Sequence, residues 1–295
     1  MRASAHAGRT IVLALATVLL VSGSLAGIAV LRGGQRTVGD GLPLARPQAV
    51  LAVAGTEQRL LLGTPRGLFR SGDGGRSWRR ASFAGDDVLG LAQGSDGTIW
   101  VAGHLVLATS TDSGESWSKT RPRGLPSLDV HGFALDPSDS SRVWAAIGGE
   151  GLFLSTDGGR SYARRSREVG PDVVSLAVTG NGTLLAGDAA REALLASDDG
   201  GATWTTVLAE LPTSIAADPS SRERVVVAAG DVRLSTDAGR SWRRAPGIGT
   251  DAVAVAWESA QPSPALVVTA SGALWRSDAS ARAWTAIVRG RPVEG

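Results

Sequence analysis

Ser71-Gly72-Asp73-Gly74-Gly75-Arg76-Ser77-Trp78 decides the fold, because the chain keeps returning to it. Copies follow at Ser110–Trp117, Ser155–Tyr162, Ser197–Trp204 and Ser235–Trp242, with Tyr162 in the Trp place of the third. A worn sixth copy, Ser277–Trp284, lacks the Asp and the Gly at their usual places and has Ala283 where a hydroxyl residue stands elsewhere. The starts at 71, 110, 155, 197, 235 and 277 set a period of about 40 residues, which marks stacked or radial units.

Between these boxes the apolar residues come in short bursts, punctuated by Gly, Asp, Ser and Pro. The first unit has Ala49–Ala54, Arg59–Gly63, Gly67–Arg70 and Trp78–Phe83, which read as four strands, A to D. The second has Val88–Ala92, Thr98–Ala102, Leu105–Thr109 and Trp117–Lys119. The A and B runs of the later units are Val130–Leu135 and Arg142–Ile147, Val173–Val178 and Thr183–Ala186, Ser214–Ala217 and Arg224–Ala228, and Ala252–Trp257 and Ala265–Thr269. Ser95-Asp96-Gly97 and Gly180-Asn181-Gly182 are short A–B hairpin turns, since Gly and Asn tolerate positive φ. Four antiparallel strands per unit of about 40 residues make the blade of a β-propeller. The expected fold is therefore all-β, a six-bladed propeller over residues 48–295. The phase of the chain gives a complete blade at each end, and Val38–Leu44 is expected to add a strand to the last blade.

Each box falls between strands C and D. Its Asp (Asp73, Asp112, Asp157, Asp199, Asp237) is suited to accept backbone N–H groups of its own turn. The Gly two residues on permits a backbone closed to residues with a β-carbon. The aromatic residue (Trp78, Trp117, Tyr162, Trp204, Trp242) opens strand D, where it is expected to pack between blades. Calcium would need more oxygens than the one carboxylate that most boxes offer. Trp100, Trp144, Trp257 and Trp275 lie within strands and are expected in the core.

On these residues the chain resembles the Asp-box, or BNR, repeat, Ser/Thr-x-Asp-x-Gly-x-Ser/Thr-Trp, from Gln48 to about Val288. Similar repeats occur in sialidases, xyloglucan hydrolases, photosystem II assembly factors and sortilin-type receptors. The resemblance implies a propeller whose boxes are structural and lie away from the functional face. A sialidase would need a free tyrosine nucleophile, and Tyr162, the only Tyr, occupies a packing position.

Composition narrows the function. With no Cys there is neither disulfide nor thiolate metal site. The histidines are His6, His104 and His131, too few to predict zinc, so no metal and no cofactor is expected. Arg2, Arg9, Arg32 and Arg36 precede the first acid, and taking these four from the 30 basic residues leaves 26 against 28 acidic ones. A repeat region without a basic excess argues against nucleic acid as a partner. Ile11–Leu31 is an uncharged, mostly apolar run between Arg9 and Arg32, long enough for a membrane helix. The alternative is a signal peptide cleaved after Ser24-Leu25-Ala26. The expected organisation is thus a signal anchor or signal peptide at 1–31, a linker at 32–47, and an exported, monomeric propeller anchored by 11–31 or secreted after cleavage at 26.

A–B and C–D turns share one end of the ring, and B–C and D–A loops share the other. The second end is the expected ligand face. Its B–C loops carry Arg66, His104, Glu150, Arg191, Glu192 and Asp231. Its D–A loops carry Asp86, Asp87, Arg121, Arg123, Asp129, His131, Arg167, Glu168, Asp172 and Asp251. No catalytic pair stands out among them. The expected function is a binding or assembly scaffold for a protein or glycan ligand, with a glycosidase using these acids as the alternative. Arg79-Arg80, Arg164-Arg165 and Arg243-Arg244 follow boxes on outer strands and are expected to keep blade edges from pairing with other chains.

Overall fold

The computed structural model describes residues 37–38 and 46–289, apart from 82, 84, 85, 260 and 262. The apolar run 11–31 and most of the 32–47 segment lie outside the described residues.

Strand β1 (Thr37–Val38) precedes six consecutive four-stranded antiparallel blades. Blade 1 is β2 (Ala49–Ala52), β3 (Leu60–Thr64), β4 (Gly67–Ser71) and β5 (Trp78–Arg80). Blade 2 is β6 (Asp87–Gln93), β7 (Ile99–His104), β8 (Val106–Ser110) and β9 (Ser118–Lys119). Blade 3 is β10 (Val130–Leu135), β11 (Val143–Ile147), β12 (Gly151–Ser155) and β13 (Ala163–Ser166). Blade 4 is β14 (Val173–Val178), β15 (Leu184–Asp188), β16 (Ala193–Ser197) and β17 (Thr205–Leu208). Blade 5 is β18 (Ser214–Ala217), β19 (Val225–Ala229), β20 (Asp231–Ser235) and β21 (Arg243–Arg244). Blade 6 is β22 (Ala252–Trp257), β23 (Ala265–Thr269), β24 (Leu274–Ser277) and β25 (Trp284–Val288).

The structure corrects one expectation. Thr37–Val38 pairs antiparallel with Arg79 and Trp78 on the outer edge of the first blade, not the last. Strand β1 covers the open backbone of β5, at the opposite edge of the sheet from the innermost strand β2. Among the described residues every blade is therefore built from consecutive strands, and the first and last blades meet by side-chain packing rather than by strand exchange. At the closing seam Val50, Leu62, Phe69 and Trp78 of blade 1 meet Ala254, Leu266, Val268 and Leu274 of blade 6.

The other seams repeat this arrangement. Leu61 and Leu68 meet Val88 and Val101 between blades 1 and 2, and Trp144 and Leu152 meet Leu176 and Leu184 between blades 3 and 4. The β3, β11 and β23 strands are buried along their whole length because seams press on both of their faces. This explains why the B strands read as unbroken apolar runs with no polar alternation. The outermost strands have exposed residues after the box aromatic, as in Trp78-Arg79-Arg80.

Candidate functional site

The repeated turn is a closed hydrogen-bond unit. In boxes one to five the first Ser hydroxyl donates to the Asp at 2.7–2.8 Å and accepts the fifth residue's N–H at 2.8–2.9 Å. The Asp also accepts the seventh residue's N–H at 2.8–2.9 Å and that residue's hydroxyl. The Ser116, Ser161 and Thr203 hydroxyls, followed by the backbone N–H groups of the same residues, hold Asp112, Asp157 and Asp199 well below the usual carboxylate range. For Asp73 and Asp237 burial acts the other way, and the combined hydrogen bonds outweigh it. With its oxygens committed to its own turn, a box Asp is poorly placed to act as base or metal ligand.

The sixth box is repaired rather than lost. Asp278, one residue early, accepts the N–H of Arg282 at 2.8 Å and the hydroxyl of Ser280 at 2.9 Å. Ala281 takes the left-handed turn at φ 52°.

The boxes also join blades. A β-carbon on the box Gly would press on the preceding blade: Gly159 on Trp100 at 2.5 Å, Gly201 on Leu152 at 2.7 Å, and Gly239 on Leu185 at 3.2 Å. Trp100, Trp144 and Trp257 are buried at blade seams, as expected, whereas Trp275 is only half-buried against the blade 5–6 seam, and Trp144 donates to Gly200 O of the next box at 3.3 Å. The paired arginines do more than guard edges. Arg165 donates to the carbonyls of Asp199 and Gly200 at 2.7 and 3.1 Å, and Arg243 to that of Ala281 at 3.2 Å, so each grips the next blade's box.

Tyr162 is 6% exposed, and burial raises its hydroxyl pKa far above the ordinary tyrosine value. The D–A loop ahead of blade 3 lies over it. Tyr162 N donates to Arg123 O at 2.9 Å, and Arg123 N donates to Arg160 O at 3.1 Å. Arg123 therefore belongs to the third box and not to the expected ligand face.

On that face the structure gathers His104 at the end of β7, Asp87 at the start of β6, and Asp129 and His131 around the start of β10. His104 Nδ1 lies 2.7 Å from Asp87 Oδ2. His104 Nε2 lies 3.3 Å from His131 Nε2 and 3.5 Å from Asp129 Oδ1, and His131 Nε2 is 3.3 Å from the same oxygen. The other expected residues are scattered into separate ion pairs. Glu150 pairs with Arg164 at 3.1 Å, Arg191 with Glu168 at 3.4 Å and Asp188 at 2.8 Å, and Asp231 with Arg233 at 3.0 Å and Arg244 at 2.9 Å. Glu192 is exposed in the β15–β16 turn.

The ring axis holds a cavity of about 560 Å³. All six innermost strands line it, with Leu51, Leu91, Phe133, Leu176, Ile215 and Val255. Gly55, Ser95, Gly97, Pro137, Gly180 and Pro219 also line it, so it opens among the A–B turns, on the box side of the ring. Asp218 is the charged residue of the lining, and its side chain is buried against Arg224 at 3.0 Å. Sequence reasoning passed over this end because the boxes share it. The signal that could have found it is the run of apolar residues in every A strand.

No protein-family model matches the chain, and no curated protein matches it in sequence. Solved structures do match in fold. A GH74 xyloglucanase from Xanthomonas campestris superposes with a TM-score of 0.57 at 16% identity, over 86% of this chain and 47% of that one. A streptogramin B lyase gives 0.59 at 12% identity, over 88% of each chain. YCF48 bound to D1 peptide gives 0.55 at 15% identity, over 90% of this chain and 88% of that one. The chain spans only 36–49% of the length of the GH74 enzymes it matches. Identities this low establish the shared propeller and nothing of activity.

Proposed function

We propose that this chain is an Asp-box propeller that works outside the cytoplasm as a non-catalytic binding scaffold, held at the membrane by the 11–31 run. Its ligand is a protein segment presenting apolar side chains to the axial cavity. The observation that carries this reading is the cavity's lining: a pocket of about 560 Å³ to which every innermost strand contributes an apolar residue, with Gln93, Ser95 and Ser259 also in the wall, and whose one charged member is turned to its own arginine. The apolar part of this lining suits burial of apolar side chains at about 25 cal/mol per Å². It offers few exposed aromatic faces of the kind that sugars stack on, which favours a protein ligand over a glycan. YCF48, of similar fold, was solved with a peptide bound, so a propeller of this build can hold one.

The test uses the full chain and its Ala217→Trp variant, in which the indole fills the cavity from β18 without removing a core side chain. Partner capture from cell extract by the wild type and its loss in the variant are expected. Undiminished capture would place the binding surface elsewhere. Turnover of a glycoside panel by the purified chain would replace the scaffold reading with a hydrolase.

A further inference from the structure

We infer that His104, His131 and Asp129 form a binding site for one divalent transition ion of the zinc class, at the opposite end of the ring from the axial cavity. The three donor atoms, His104 Nε2, His131 Nε2 and Asp129 Oδ1, are separated by 3.3, 3.5 and 3.3 Å. A tetrahedral ion with bonds of about 2.0–2.1 Å requires its ligand atoms about 3.3–3.4 Å apart. The triangle is thus one face of that tetrahedron. Two imidazoles and one carboxylate select a borderline ion over magnesium or calcium, which take oxygen donors.

The surroundings are arranged for the same purpose. Asp87 Oδ2 holds His104 Nδ1 at 2.7 Å, which fixes the tautomer that leaves Nε2 as the donor. His131 sits at a β-bulge, where the pairing of β10 with β11 skips between Val130 and Gly132. The same skip recurs in blades 2, 4 and 6, where the extra residue is Leu89, Val174 and Val253. A position that is aliphatic in three blades is an imidazole in the one that faces His104. On the far side Gly148 keeps the space clear. A β-carbon there would lie 2.7 Å from Asp129 Oδ2 and 2.9 and 3.1 Å from His131 Cε1 and Nε2. The side chains of His104, His131 and Asp129 are 46, 30 and 40% exposed, so the fourth coordination position faces solvent. The ion would clasp blade 2 to blade 3 and leave a place for water or a donor group of a partner.

The experiment is calorimetric titration of the purified full chain with Zn²⁺, together with its melting temperature with and without the ion. Saturable binding at one ion per chain and an upward shift in melting temperature are expected. His131→Val copies the residue of blades 4 and 6, so it should fold and lose the ion. Gly148→Ala should weaken binding without touching a donor. Asp87→Asn should weaken it about 10–100-fold while leaving the melting temperature of the metal-free protein unchanged. His6→Ala, which removes the remaining histidine, should bind as the wild type does. Absence of equimolar binding, or binding that survives both His131→Val and Gly148→Ala, would overturn the site.

Discussion

Gly75→Ala tests how the ring is closed. Gly75 sits at φ +91° against the seam between blades 6 and 1, and an added β-carbon would overlap Leu274 Cδ2 and come within 3.2 Å of Leu60 Cδ1. Leu274 is fully buried among the seam residues of blades 1 and 6. Two costs combine: about 1–2 kcal/mol for a β-carbon in the left-handed region and about 1–3 kcal/mol for overpacking. The expected loss is therefore about 2–5 kcal/mol. Gly97→Ala is the control, since its φ is +83° and nothing lies within 4 Å, so only the first cost applies. Native Ala281, left-handed at φ 52° and buried in the blade 5–6 seam, shows that such a backbone is reachable where the neighbour leaves room. Leu274→Ala should relieve the clash, so the double variant should lose about 1–3 kcal/mol less than the sum of the single ones. Urea unfolding followed by tryptophan fluorescence reads all four proteins. If Gly75→Ala falls within about 0.5 kcal/mol of Gly97→Ala, or the double variant is additive, the packed seam does not close the ring.

Three further outcomes follow from the boxes. Ser155→Ala removes a fully buried hydroxyl that accepts Gly159 N at 2.9 Å, and the stranded N–H should cost about 1–3 kcal/mol in urea unfolding. Tyr162→Phe should leave stability unchanged or raise it by about 1 kcal/mol, because the buried hydroxyl has no partner among the described residues; a clear loss would mean that it does bond. The box carboxylates have lowered pKa values, so their stabilisation is complete above the unfolded carboxylate range near about 4 and is lost as pH falls through the folded values below it. Unfolding free energy measured against pH should fall below about pH 4, and less steeply in an Asp73→Asn/Asp237→Asn variant; equal slopes would contradict the assignment.

The blades were legible because their signals are local. Val130–Leu135, Val173–Val178, Ser214–Ala217, Ala252–Trp257 and Ala265–Thr269 are apolar bursts cut by turn residues, and the structure begins and ends those strands at the same residues. What escaped the sequence depends on contacts between units. Arg165 reaching the box of blade 4, Trp144 reaching Gly200, and the partner edge of Thr37–Val38 all join segments about 35–55 residues apart, which no local pattern records. The bulge that turns His131 toward His104 shifts register by one residue, and apolar alternation cannot locate it. Counting three histidines argued against a metal; the structure instead places two of them 3.3 Å apart beside a carboxylate. Arg123 went to the third box because its loop doubles back over Tyr162. The axial cavity opens beside the boxes because the A–B turns share that end of every blade.

The scaffold reading stands most directly on one measurement in intact cells. A photo-crosslinking residue replaces exposed Ser95, at the mouth of the cavity, and in a second strain replaces exposed Thr206, on the outer strand β17. Irradiation should join the chain to a discrete protein from Ser95 and not from Thr206, and Ala217→Trp should abolish the adduct. An adduct from Thr206 alone, or one from Ser95 that persists in Ala217→Trp, would contradict binding at the axial cavity.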